Sequence, residues 1–372
     1  MIYLDSAASS APLDFSAETI NRSFPGYINP SASYKSALAM RQYIHEVRKL
    51  CADALGAERT QVFFTSGATE SNNVLIHGLR PEHKKKNVIV SSPAEHASVY
   101  EPLRDKNVRW LPPSQKGYYT WEDIEPHLSS DVYLLILIHV NNETGMTNDI
   151  AGIGTRLKKK YPDIHLHTDC TQSFLKKIIC AETSGIDSIS FSGHKCHAQK
   201  GIGGLFIKKT NRLTPLFKGG GQESGIRPGT ENTDGITSLA YAVRTLSHTL
   251  QKREDHAVML KSAFTVRLAL RSNRCVPLPF DISRQSPYIA HFSITGVPGE
   301  VLARRLGDKD ICVSNAAACA DNAQKKIRVL EGHGLTKNYI YGSIRVSFSF
   351  NNTKEEVLTA ADVIAGTADE LG

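Results

Sequence analysis

An α/β fold built on a mostly parallel sheet is what this chain of 372 residues predicts, on three observations. Short β-rich runs alternate with stretches of helical periodicity. One run, VYLLILIHV at 132–140, is apolar without alternation, as a strand covered on both faces must be. Each run ends in small or polar residues, where ligands bind beyond the carboxyl ends of strands in doubly wound sheets.

In order, the strand-like runs are QVFFTS at 61–66, NVIVSS at 87–92, VYLLILIHV at 132–140, IHLHTD at 164–169, DSISFS at 187–192 and GGLFIK at 203–208. Residues between them, such as 149–161, supply the helices. A Gly-rich stretch, KGGGQESGIRPGTEN at 218–232, precedes Ile236, Leu239, Ala240, Val243, Leu246 and Leu250, whose spacing predicts one long helix bridging two domains. Beyond it, SPYIAHFSITGV at 286–297, a short loop with two cysteines, and SIRVSFSF at 343–350 read as a smaller α+β unit.

Composition narrows the class. With 41% hydrophobic and 22% charged residues the chain can bury a core, which excludes disorder as its main state, and 27 Gly and 16 Pro exclude collagen-like sequence. The net charge of +7 is mildly basic. The basic clusters at 83–86, 158–160, 176–177, 208–209 and 325–326 are scattered and lack aromatic interleaving, so direct nucleic-acid binding is not expected. Seven cysteines with no CxxC pair suggest neither a disulfide framework nor a zinc ribbon. A reducing compartment, the cytoplasm, is expected. The longest apolar run has nine residues, against about 20 for a membrane span.

The residues after each strand carry the chemistry. Thr65 to Ser71, TSGATES, is a small-residue turn opening a helix, suited either to receive a phosphate or simply to cap the helix. Asp169 ends a buried strand, where a carboxylate is costly without a cationic partner. Lys195 follows DSISFS and is either that partner or a nucleophilic amine. A phosphate cup, an Asp, a Lys and histidines beside them are the parts that hold pyridoxal phosphate. The rival reading is zinc on His165, His167 and Cys170, or on His194, Cys196 and His197. Strand alternation weakens the first set, because Cys170 lies past the strand end.

The motifs YLDSAAS, FTSGATESNN, AEHASV, HVNNETG, HTDCTQS, SFSGHK, KGIGGLFIK, GGGQESGIRPGTEN and IRVSFSFNNTKEE follow one another along the chain. In their order and spacing the chain resembles the cysteine desulfurases of the class V aminotransferases, which are fold type I pyridoxal phosphate enzymes. The resemblance implies a large cofactor domain at 15–249, and a small α+β domain of 1–14 and 250–372 carrying a catalytic thiol loop. It makes Lys195 the Schiff-base lysine, Asp169 the partner of the pyridine nitrogen, and His96 a ring-stacking imidazole and proton carrier. Asn142 and Gln172 would contact the ring-hydroxyl side, with Asn142 also near substrate. Ala68, Thr69, Ser192 and His194 would bind the phosphate, joined by Thr230 from the other subunit of a homodimer. Arg345 would pair with the substrate carboxylate, and Cys319, in VSNAAACADNAQ, would be the nucleophile. Cys312, by contrast, reads as a buried packing residue.

The implied activity converts L-cysteine to L-alanine and a Cys319 persulfide, whose sulfur passes to a protein acceptor in iron–sulfur cluster assembly, tRNA thiolation or DNA sulfur modification. No metal is implied. The alternative is another class V aminotransferase or a β-lyase in which Cys319 is incidental. The chain departs from the family pattern at Asn315 to Ala318, where Gly and Ser usually precede Ala and Cys, and at His197, Ala198 and Gln199 after the lysine.

Overall fold

The computed structural model describes residues 1–13, 27–58, 61–82, 85–315 and 327–372. In chain order the first elements are β1 (Ile2–Tyr3), α1 (Lys35–Leu55), β2 (Val62–Thr65), α2 (Ala68–Gly78), β3 (Val88–Ser91), α3 (Ala97–Leu103), β4 (Val108–Trp110) and α4 (Trp121–Ile124). Next come β5 (Val132–Ile138), α5 (Ile150–Lys160), β6 (His165–Asp169), β7 (Ser188–Ser192) and β8 (Gly203–Ile207). The remainder is α6 (Thr233–Ser247), α7 (Leu250–Arg271), β9 (Cys275–Pro277), β10 (Ile289–Ile294), α8 (Gly299–Asp308), β11 (Ile311–Cys312), β12 (Ser314–Asn315), α9 (Lys337–Tyr341), β13 (Ser343–Ser347) and α10 (Lys354–Leu371).

Seven strands form the main sheet in the order β2-β8-β7-β6-β5-β3-β4. The neighbours from β7 through β4 are parallel, and β8 runs antiparallel to both β7 and β2. The fold is the α/β class expected, with one reversed strand. The unbroken apolar run of β5 has a direct cause. Leu135 and Leu137 enter one core cluster with α1 and α6, while Leu134 and Ile136 enter another with α2 and α3. Successive strand side chains point to opposite faces, so a sheet with helices on both needs apolar residues at every position.

Local chemistry sets the helix ends. Asp149 accepts a hydrogen bond from Gly152 N at 3.0 Å at the start of α5, and Lys158, Lys159 and Lys160 lie in its last turn, where cations favour the helix dipole. Thr353 and Glu356 form a reciprocal capping box that opens α10.

The expected single helix through Leu250 is instead two, α6 and α7, interrupted at His248 and Thr249. The helices serve different cores. In α6, Ile236, Leu239, Val243 and Leu246 pack with the main sheet, whereas Leu260, Phe264 and Leu268 of α7 pack with Leu4, Phe292, Ile344, Val346 and Ile364. Buried Arg253 closes the end of α6 by donating to Leu246 O at 2.9 Å and to Leu175 O at 2.6 Å.

A second sheet, β12-β13-β10-β9, is antiparallel, and β1 pairs with β11 in a two-stranded parallel sheet. It brings Arg345 of β13 opposite His291 and Ser314. The thiols divide unevenly. Cys51, Cys170 and Cys196 are buried, Cys275 and Cys312 are half-buried, and Cys180 is exposed, so Cys312 is not the core residue its apolar neighbours predicted. No helix among the described residues is long and apolar enough to cross a membrane.

One glycine couples the sheet to what lies above it. A methyl group at Gly203 would stand 2.5 Å from the Phe191 carbonyl oxygen and 2.6 Å from the Gly67 Cα, both backbone atoms with little room to yield. Gly203→Ala should therefore lower stability by about 1–3 kcal/mol, measured as a reduced urea midpoint; an unchanged midpoint contradicts the close approach.

Candidate active site

The carboxyl ends of β5, β6 and β7 and the amino ends of α2 and α3 converge on a cavity of about 320 Å³. Its position follows from the fold, because parallel strands deliver their last residues to one edge. Asp169 ends β6, Ser192 ends β7, Ala68 opens α2 and His96 caps α3.

At one end Ala68 and Thr69 begin α2, opposite Ser192 and His194. The Ala68 N–H donates to Ser192 Oγ at 2.9 Å, which fixes the serine and leaves its hydroxyl proton free for a ligand. The first N–H groups of a helix lack intrahelical acceptors and carry partial positive charge, so this end suits a phosphate. Burial, followed by nearby Lys195 and Lys200, pushes the His194 imidazole down to about 4, so it is neutral at pH 7.

Lys195 Nζ donates to the backbone oxygens of Ala7 and Ala8, each at 2.6 Å. Burial first, then the positive charges of Arg345 and Lys176, brings this amine down to about 7. The N-terminal segment is itself tied in place. Ser10 N donates to His194 O at 2.8 Å, Ala7 N to Ser347 Oγ at 2.8 Å, and Gln172 Nε2 to Ala7 O at 2.9 Å.

Asp169 is buried with 2% exposure. Its Oδ2 accepts from Asn72 Nδ2 at 3.0 Å and its Oδ1 from Thr171 N at 2.9 Å, and no cationic side chain pairs with it among the described residues. Three other polar atoms of the cavity residues, Asn142 Oδ1, Gln172 Oε1 and Thr171 Oγ1, are buried without a partner among the described residues. Leaving such groups unpaired is costly. A protonated pyridine ring with a hydroxyl and a phosphate can meet most of them: the cation at Asp169, the single hydroxyl proton at Asn142 Oδ1 or Gln172 Oε1, and the phosphate at the α2 end. The residues present therefore fit pyridoxal phosphate.

His96 Nδ1 lies 2.8 Å from Ser98 Oγ and accepts from Ser98 N at 3.1 Å. Burial lowers its pKa against the opposing pull of Asp169. Arg345 enters from the second sheet. Its Nη1 donates to Asn142 O at 2.8 Å and Glu143 Oε1 at 3.1 Å, and its Nη2 to Asp5 Oδ1 and Ser314 Oγ, both at 2.9 Å. Its Nε is buried without a partner among the described residues. A substrate carboxylate would thus compete with Asp5 and Glu143 for this guanidinium.

One cavity brings together Lys195, Asp169 and His96; Asn142, Gln172 and Arg345; and Ala68, Thr69, Ser192 and His194. Thr230 does not line it and is exposed on the loop before α6. Cys319 lies outside the described residues. Residue reasoning missed Ala7, Ala8, Asn72, Ser98 and Thr171. The two alanines act through backbone carbonyls, which no side-chain motif reports, although YLDSAAS contains them. The nitrogens of the zinc alternative have other partners: His165 Nε2 and His167 Nδ1 each lie 2.8 Å from Ser188 Oγ, and His197 Nδ1 lies 2.7 Å from Ala11 O.

The Lys195 amine gives a pH prediction. Its pKa is depressed, so the neutral, nucleophilic form predominates above about pH 7 rather than only near the ordinary lysine value of about 10.4. In the cofactor-free protein, labelling of Lys195 by an amine-reactive reagent, followed by peptide mass spectrometry, should rise through about pH 7 and level off, as the amine's position dictates. A rate still climbing through pH 9 contradicts this environment.

Comparison with known proteins places the arrangement in a family. The family model described as aminotransferase class V matches residues 2–359. The NifS/IcsS protein homolog of Lactobacillus delbrueckii subsp. bulgaricus is 34% identical over 100% of this chain and 97% of its own length. The cysteine desulfurase IscS of Dictyoglomus turgidum is 31% identical over 100% and 95%. A solved NifS-like protein superposes with a TM-score of 0.89 at 27% identity, covering 100% of both chains. This chain belongs to the class V aminotransferase family, alongside relatives of the IscS and NifS type.

Proposed function

We propose that this protein is a pyridoxal phosphate-dependent cysteine desulfurase that releases L-alanine from L-cysteine and holds the sulfur as a persulfide on Cys319 for a protein acceptor. One observation carries the cofactor reading: a buried carboxylate with no cationic partner among the described residues, Asp169, shares a cavity with Lys195, an amine brought down to about 7. The relative from Dictyoglomus turgidum, named a cysteine desulfurase, supports the choice of reaction.

When bound, pyridoxal phosphate supplies an electron sink for negative charge at the substrate α-carbon. The chain's residues do the rest. Asp169 keeps the pyridine nitrogen protonated, and Ala68, Thr69, Ser192 and His194 hold the phosphate. Lys195 anchors the cofactor and then moves the α-proton; near its own pKa an amine both takes and returns a proton efficiently. Arg345 binds the substrate carboxylate in two-pronged fashion. His96, in the same cavity wall, would hand on a proton.

The Cys319 thiolate attacks the substrate sulfur, so an S–S bond forms as the C–S bond breaks, and the carbon fragment leaves as alanine after protonation. Cys170 and Cys196 are poor substitutes, because burial pushes both thiols up to about 12. Thr230, outside its own chain's cavity, reaches the phosphate of a second copy in a homodimer. Exposed Leu216 and Phe217, on the segment leading to this loop, supply apolar surface there.

Lys195→Ala should bind pyridoxal phosphate without the absorbance band of a lysine adduct. Cys319→Ala should keep that band yet lose persulfide formation by at least about 100-fold, as expected when a covalent nucleophile is removed. Wild-type persulfide yield from Cys319→Ala, read by mass spectrometry after alkylation, would sink the nucleophile assignment. Sedimentation equilibrium should give a dimer, and Thr230→Ala should weaken cofactor binding about tenfold, the effect of one lost charge-assisted hydrogen bond; unchanged affinity contradicts the shared phosphate site.

A further inference from the structure

Beneath the cavity runs a chain of buried polar side chains that the mechanism above does not use. His165 and His167 of β6 and Ser188 of β7 are buried in the sheet, and Asn72 of α2 is fully buried beside them. His165 Nε2 lies 2.8 Å from Ser188 Oγ, Ser188 Oγ lies 2.8 Å from His167 Nδ1, and His167 Nε2 lies 3.0 Å from Asn72 Oδ1. The Asn72 amide nitrogen then donates twice, to Asp169 Oδ2 at 3.0 Å and to Ser98 Oγ at 2.9 Å. Ser98 Oγ in turn meets His96 Nδ1 at 2.8 Å.

Hydrogen-bond chemistry permits one direction. A carboxylate oxygen only accepts, so Asn72 must turn its NH₂ toward Asp169 and its Oδ1 toward His167. That oxygen accepts, so His167 carries its proton on Nε2. Burial, opposed by Asp169, pushes His167 down to about 3, so its Nδ1 is bare and accepts from the Ser188 hydroxyl. Ser188 has then spent its single proton and accepts from His165 Nε2–H. On the other branch Ser98 receives from Asn72, and both its hydroxyl and its N–H donate to His96 Nδ1. With Nδ1 occupied as an acceptor, the proton of neutral His96 stands on Nε2.

We propose that Asn72 and His167 are positioning residues: the one-way hydrogen-bond chain from His165 to His96 aims the Asp169 carboxylate and holds His96 as the Nε2–H tautomer. The proposal rests on reading the cavity as a pyridoxal phosphate site, and it deepens that reading. One side-chain amide thereby ties the Asp169 carboxylate to the His96 imidazole. Such outer partners fix tautomer and orientation without touching the reacting atoms.

The test uses the full chain with ring-¹⁵N histidine, free and loaded with pyridoxal phosphate, the His96 signals being assigned by their loss in His96→Asn. Wild type should show a single Nε2–H tautomer for His96. His167→Leu removes the donor to Asn72 Oδ1, leaves that buried oxygen unpaired and loosens the amide's hold on Asp169 and Ser98. It should mix the His96 tautomers, lower kcat for L-cysteine roughly tenfold and change KM less than about twofold. His167→Gln, which keeps an N–H toward Asn72, should restore the single tautomer and most of kcat. Asn72→Ala gives the same readings if His167→Leu does not fold. A wild-type His96 spectrum and kcat in the altered proteins overturn the proposal. Failure of the wild-type chain to bind pyridoxal phosphate defeats the proposed function instead, and the histidine spectrum of the free protein still decides this inference.

Discussion

Asp169 sets the terms for the cavity. Its carboxylate sits at the end of an inner strand, 2% exposed, with an amide and a backbone N–H as partners. Burying a carboxylate without a counter-charge is among the costlier things a fold can do. A cationic group entering this cavity would offset that cost. Its walls also carry polar atoms of Asn142 and Gln172 without partners among the described residues, a helix end suited to a phosphate, and the Lys195 amine.

The cavity also depends on two separate cores meeting. The main sheet delivers Asp169, Ser192 and Lys195, while the second sheet delivers Arg345 on β13. The N-terminal segment stitches them together, since Ala7 O takes bonds from both Lys195 and Gln172 while Asp5 pairs with Arg345 at 2.9 Å. This geometry makes the lysine reactive. Burial and the neighbouring cations Arg345 and Lys176 all disfavour its charged form. The same Arg345 is held by Glu143 and Asp5, which keep it charged and fixed at the cavity wall.

Much of this was legible in the sequence, for physical reasons. The run at 132–140 announced a strand covered on both faces, and its side chains do alternate between two cores. Small and polar residues after each strand marked the ligand edge. What the sequence concealed was of three kinds. The reversal of β8 depends on pairing, which GGLFIK does not encode by itself. The break between α6 and α7 was hidden because apolar spacing continues to Leu250, although the two helices pack on different cores. The buried relay was hidden because His165 and His167 read as part of a metal set with Cys170, and Ser188 as an ordinary strand residue, until the distances among them are known.

The reading of the cavity turns on whether Asp169 receives a protonated pyridine nitrogen. The most direct measurement is the ¹⁵N chemical shift of ring-labelled pyridoxal phosphate bound to the wild-type protein near pH 8. A protonated nitrogen is expected, and its loss in Asp169→Asn. An unprotonated ring nitrogen in the wild-type complex would contradict it.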